Sequence, residues 1–117
     1  MVQQHLLKKG QTDVKPKDTC DTSFSKGKYK TTARRAAGAV THAVDRVLAG
    51  KNRNAFCAVR PPGHHAGANG LIENSVSCGF CIFNNVAVGA MHALGHHHLD
   101  RVAIVDIDVH HGNGEQK

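Results

Sequence analysis

The chain has 117 residues, 40% of them hydrophobic but only 4% aromatic and none Trp, so its core has to come from Ala, Val, Leu and Ile within one small domain. The formal net charge of +6 sits in the first 35 residues, where nine Lys and Arg face three Asp, and the remainder is neutral. No apolar run approaches the ~20 residues of a membrane span, and the scarcity of aromatics to stack on bases argues against direct nucleic-acid binding.

Residues 1–20 are polar and Lys-rich, and read as a basic, mobile segment. They lack the apolar stretch of a secretion signal. The four cysteines, Cys20, Cys57, Cys78 and Cys81, are too few for a secreted disulfide scaffold. A soluble intracellular protein with free thiols is expected. From Thr31 onward, Ala33, Ala36, Ala37, Val40, Val44, Val47 and Leu48 recur at helical spacing, with Gly50 placed to end the helix. Residues 54–60 (NAFCAVR) then read as a short buried strand stopped by Pro61 and Pro62.

Residues 61–83 are rich in Gly, His, Asn and Ser and too long for an ordinary connection, which points to a functional loop. Asn84 or Asn85 can cap a second helix carrying Val86, Ala90, Ala93 and Leu94 and ended by Gly95. Residues 101–109 (RVAIVDIDV) are dense in β-branched side chains and read as a strand buried on both faces. Strand, loop, helix and strand form a βαβ unit with a right-handed crossover. Two parallel strands cannot cover their own faces, so the expected fold is α/β, part of a three-layer domain with a mainly parallel sheet.

Two constellations carry chemistry. In the first, VDIDVHHGNG at 105–114, strand alternation points Asp106, Asp108 and His110 the same way. Carboxylates on an apolar strand need a compensating cation, and Asp oxygen with imidazole nitrogen suits zinc. The alternative is a carboxylate pair satisfied by backbone donors of the following turn. In the second, RPPGHHAG at 60–67, His64 and His65 follow a constrained turn, as proton carriers beside a metal or as solvated loop residues. The Cys78–Cys81 pair has redox spacing but no second pair to complete a zinc ribbon. His42 and His92 read as partly exposed helix residues, and the His96, His97, His98 run as a solvated loop, with adventitious metal binding as its alternative.

These two blocks, with Gly79-Phe80-Cys81 and Asn84-Asn85 between them, resemble the zinc-dependent histone deacetylases of the arginase–deacetylase fold over residues 21–114. Asn113 resembles the class II branch. The resemblance implies that residues 21–117 are the N-terminal portion of a deacetylase catalytic domain acting on acetyl-lysine amides. It implies Asp108 and His110 as two zinc ligands, His64 and His65 as the paired catalytic histidines, and Asp106 and Asn113 as their partners. His65 would be the general base, then the acid. Gly79 and Phe80 would line the substrate channel, and carbonyls near Asp106, Asp108 and His110 could hold a structural potassium ion. The family's third zinc ligand and its Gly-Gly-Tyr tyrosine have no counterpart in these residues; Tyr29, near the basic segment, does not match the latter. Glu115 replaces a Thr common in the family, and the polar Asp21-Thr22 stretch, with Asp18 close by, resembles its rim loop. The implied partners are an acetylated histone or other acetyl-lysine protein and a corepressor complex or second subunit, in the nucleus or cytoplasm. The chain is expected to be inactive alone. An acetylpolyamine amidohydrolase and a non-catalytic interaction fragment are the alternatives.

Overall fold

Small apolar side chains at helical spacing build α1 (Lys28–Leu48) in the computed structural model, which describes residues 28–68, 70–72, 75 and 77–116. The expectations for the basic segment 1–20, for Cys20 and for Asp18, Asp21 and Thr22 lie outside the described residues. Ala33 and Ala36 are the buried positions of α1. Its end is a left-handed cap: Gly50 has φ +70°, and the Gly50 and Lys51 amides donate to the carbonyls of Val47 and Arg46, each at 3.0 Å.

The second helix, α2 (Asn85–Gly95), starts at Asn84, whose Oδ1 accepts from the Ala87 amide at 3.0 Å. That bond satisfies one of the donors a helix N-terminus leaves unpaired. The two helices pack against each other, with Val40 and Val44 of α1 over Gly89 of α2. A Cβ on Gly89 would stand 2.6 Å from Val40 Cγ1, so only glycine admits this approach. Further along both helices Asp45 meets His92 and His97, so α1 and α2 run side by side in the same sense. Neither helix is long and apolar enough to cross a membrane.

The α/β expectation is corrected here. Among the described residues there are two α-helices and a short 3-10 turn at Asn113–Glu115, and no strand. Segments 54–60 and 101–109 make no ladder with each other or with another described segment. A strand exists only through a hydrogen-bonded partner, and a run of β-branched residues does not supply one. The expected burial on both faces fails with it: Val105 is 82% exposed, Ile107 and Val109 93%, and Phe56 94%. Between these segments and the helices lies an open apolar cleft of about 810 Å³, lined among others by Val40, Val44, Val59 and Ile104.

The free-thiol expectation also needs a correction: Cys78 is disulfide-bonded, whereas Cys57 keeps a free thiol.

Candidate active site

The loop after Pro61 is pinned before it reaches the histidines. Asn85, buried at the start of α2, donates from Nδ2 to the Pro61 carbonyl at 3.0 Å. A Cβ on Gly63 would lie 2.5 Å from the Asn85 nitrogen, so the chain can press against the helix start only without a side chain there. His64 and His65 follow at once, with ring centroids 4.1 Å apart.

The turn at Asn113–Glu115 docks beneath this loop. The Gly114 amide donates to the His64 carbonyl at 2.8 Å, and a Cβ on Gly114 would stand 2.7 Å from that oxygen. Asn113 thereby reaches His65: Asn113 Oδ1 lies 2.9 Å from His65 Nδ1, and Asn113 Nδ2 donates to the His65 carbonyl at 3.2 Å. The second bond fixes which end of the amide is oxygen. That oxygen can only accept, so the His65 proton sits on Nδ1 and leaves Nε2 open.

His64 is held by charge rather than by an amide. Its Nδ1 lies 2.8 Å from Asp106 Oδ2. The Asp106 carboxyl is held below the ordinary carboxylate range, first by the Asp108 amide and then by His64. The Asp108 amide donates to Asp106 Oδ1 at 3.0 Å, and the His110 amide to Asp108 Oδ1 at 2.8 Å. Asp108 is held down likewise, by the His110 amide and then by its ring. Glu115 is pushed up by burial, with Asp106 adding to the effect.

The structure thus joins His64 to Asp106 and His65 to Asn113, across 42 and 48 residues of sequence. His110 stands at the rim: its side chain is 73% exposed, and its centroid lies 6.3 Å from that of His65. Asp106, Asp108 and His110 line a polar cleft of about 510 Å³ with Glu115 and Gln116. Gly79 packs so tightly on the His65 ring that a Cβ there would collide with it, and its φ of +54° also favours glycine. The Gly79 carbonyl accepts from the Cys81 thiol at 3.3 Å, and Phe80 is 46% exposed at φ +61°.

Zinc suits the donor chemistry of Asp108 and His110. Asp108 Oδ1 and His110 Nδ1 are 2.9 Å apart, close to the roughly 3.3 Å between donors around a tetrahedral zinc ion. They are two donors, and a catalytic zinc takes three from protein. Among the described residues, the gathering of three or more metal-type donors lies elsewhere, at Asp45, His92, His96 and His97. Sequence reasoning weighed His96, His97 and His98 as an adventitious metal binder, favoured a solvated loop, and joined neither His92 nor Asp45 to them. The i, i+4 spacing of His92 and His96 was the available signal. Asp45 carried none, because only helix packing brings it there.

Comparison with known proteins adds the family. A sequence profile described as "Histone deacetylase domain" matches residues 2–117. The chain is 51% identical over 85 residues to Type-2 histone deacetylase 1 of Dictyostelium discoideum, covering 73% of this chain and 6% of that protein. It is 56% identical over 88 residues to Histone deacetylase 6 of Caenorhabditis elegans, covering 73% and 8%. It is 50% identical over 84 residues to Polyamine deacetylase HDAC10 of Homo sapiens, covering 72% and 12%. The chain therefore spans a small fraction of the length of the relatives it matches.

Proposed function

Since the chain belongs to the histone deacetylase family, we propose that residues 60–114 form the proton-handling side, and part of the metal-holding side, of a site that hydrolyses N-acetyl amides, with acetyl-lysine as the substrate class. The observation that carries this reading is the pair of bonds between Asn113 and His65, which fixes the ring proton at Nδ1 and leaves Nε2 available as an acceptor.

Asp108 and His110 would hold zinc together with a further donor outside the described residues. When bound, zinc supplies Lewis acidity toward an amide carbonyl and toward water. His65 accepts a proton from water at Nε2 and returns it to the departing amine, while Asn113 keeps the ring from turning. His64 keeps its Nδ1 proton on Asp106. Phe80 offers an apolar wall to the stem of an acylated amine.

The test is a pair of variants in the full-length protein, assayed on an acetyl-lysine peptide. His65→Ala should abolish turnover and leave zinc in place. Asp108→Ala should remove zinc and turnover together. Turnover that survives His65→Ala would overturn the assignment of the base. The likeness to a polyamine deacetylase favours acetylated polyamines as a second substrate class. Rates on an acetylpolyamine and on an acetyl-lysine peptide, compared side by side, separate the two.

A further inference from the structure

We propose that Asp45, His92, His96 and His97 form a second divalent-metal site, suited to zinc, that ties the C-terminal end of α1 to that of α2. His92 and His96 are one helical turn apart, so their rings stack with centroids 4.8 Å apart and an interplanar angle of 12°. His97 stands edge-on to both, with centroids at 5.3 and 5.0 Å. Asp45 closes the group from the other helix: its Oδ1 lies 2.6 Å from His92 Nε2 and 2.7 Å from His97 Nε2. One donor atom from each of the four residues lies within 4.8 Å of all the others.

Three imidazoles and one carboxylate make a closed, four-donor set of the kind that holds structural zinc. Bonds of 2.0–2.2 Å put tetrahedral donors about 3.3 Å apart. The two Asp45 contacts must therefore widen by roughly 0.6 Å and the widest separation must close by roughly 1.5 Å. Side-chain rotation can supply both, because His96 is exposed and Asp45, His92 and His97 are only half-buried. Metal binding replaces the protons that Asp45 now shares with two rings, and those protons pass to Nδ1 or to solvent. The cluster is separate from the candidate active site. Asn85, at the opposite end of α2, touches the loop that carries His64, and an 11-residue helix is roughly 16 Å long.

The experiment is a cobalt(II) titration of the full-length protein carrying Asp108→Ala and His110→Ala, which removes the other donors. Visible absorption reports tetrahedral cobalt, and zinc chloride then displaces it. One tight equivalent is expected. Asp45→Asn and His97→Gln should each weaken binding by about 100-fold or more, at or above the loss from removing an outer-shell partner. His96→Ala should do the same and also abolish the rise in Tm with zinc. His96 makes no bond to Asp45, so this variant stays informative if Asp45→Asn fails to fold. His98→Ala should change nothing. Binding that persists unchanged in His96→Ala and His97→Gln, or that is lost equally in His98→Ala, would overturn the site and leave an unspecific histidine run.

Discussion

His65 depends on an uncharged partner. Asn113 holds Nδ1 through a side-chain oxygen whose identity is settled by the second bond of the same amide, to the His65 carbonyl. Removing the amide frees the ring to rotate and to exchange tautomers. Asn113→Ala in the full-length protein should lower kcat by about 10- to 100-fold, since general acid–base catalysis contributes roughly 100- to 10,000-fold when fully oriented. Bound zinc, measured by elemental analysis, should not change. Equal losses of zinc and rate would mean that Asn113 supports the metal side instead. The pairing of His64 with Asp106 and His65 with Asn113 was anticipated through the family resemblance and not through spacing, because partners 42 and 48 residues apart leave no local pattern.

At the scale of elements, the α1–α2 contact distinguishes two glycines in helices. Gly38, in α1, has nothing within 4 Å of the place its Cβ would occupy, whereas Gly89 would meet Val40 at 2.6 Å. Glycine inside a helix costs about 0.5–1 kcal/mol relative to alanine, so Gly38→Ala should stabilise the protein by that amount. Gly89→Ala gains the same propensity but forces apart a branched side chain with little rotamer freedom in a helix, and should destabilise by about 1–3 kcal/mol. Urea unfolding of both variants measures the contrast.

The Asp45 link adds a pH dependence to the same contact. The Asp45 carboxyl is lowered from 3.8 to about 2, first by the bond from His92 and then by that from His97. A folded-state value below the unfolded one means that the link stabilises above about pH 4 and is lost as the pH falls toward 2. With a chelator present, Asp45→Asn should therefore lower the Tm near neutral pH, and its difference from the native protein should shrink between pH 4 and 2. A difference that held constant to pH 2 would show that the carboxylate is not what joins the helices. Both helices were legible in the sequence because periodic Ala and Val, an Asn cap and the Gly50 stop all act within a turn or two. The strands were misread for a related reason. The residues 101–109 record what a segment can bury, whereas a ladder depends on a second segment elsewhere.

Across the whole molecule, the described residues leave much apolar surface in water. Val105, Ile107 and Val109 are among the most exposed large hydrophobic side chains, and the cleft beside them stays open. Segments with few buried contacts and no backbone ladder open at little cost in free energy. Hydrogen exchange on residues 1–117 should therefore show weak protection over 103–108 and stronger protection within α1 and α2. Strong protection at Ile104 and Ile107 in a monomeric sample would contradict this. The candidate site stands at the edge of that weakly held segment, with His64 and His65 tied to α2 through Asn85 and Pro61 while Asp106 and Asp108 belong to the exposed run.

The 48-residue gap between His65 and Asn113 also orders events in time. A ribosome adds roughly 5–20 residues per second. The histidine pair therefore leaves the exit tunnel about 2–10 s before the residues that orient it. For that interval the nascent chain carries two adjacent imidazoles without their native partners. The contacts of His64 and His65 with the turn at Asn113–Glu115 form only once that turn has emerged and folded back under the loop.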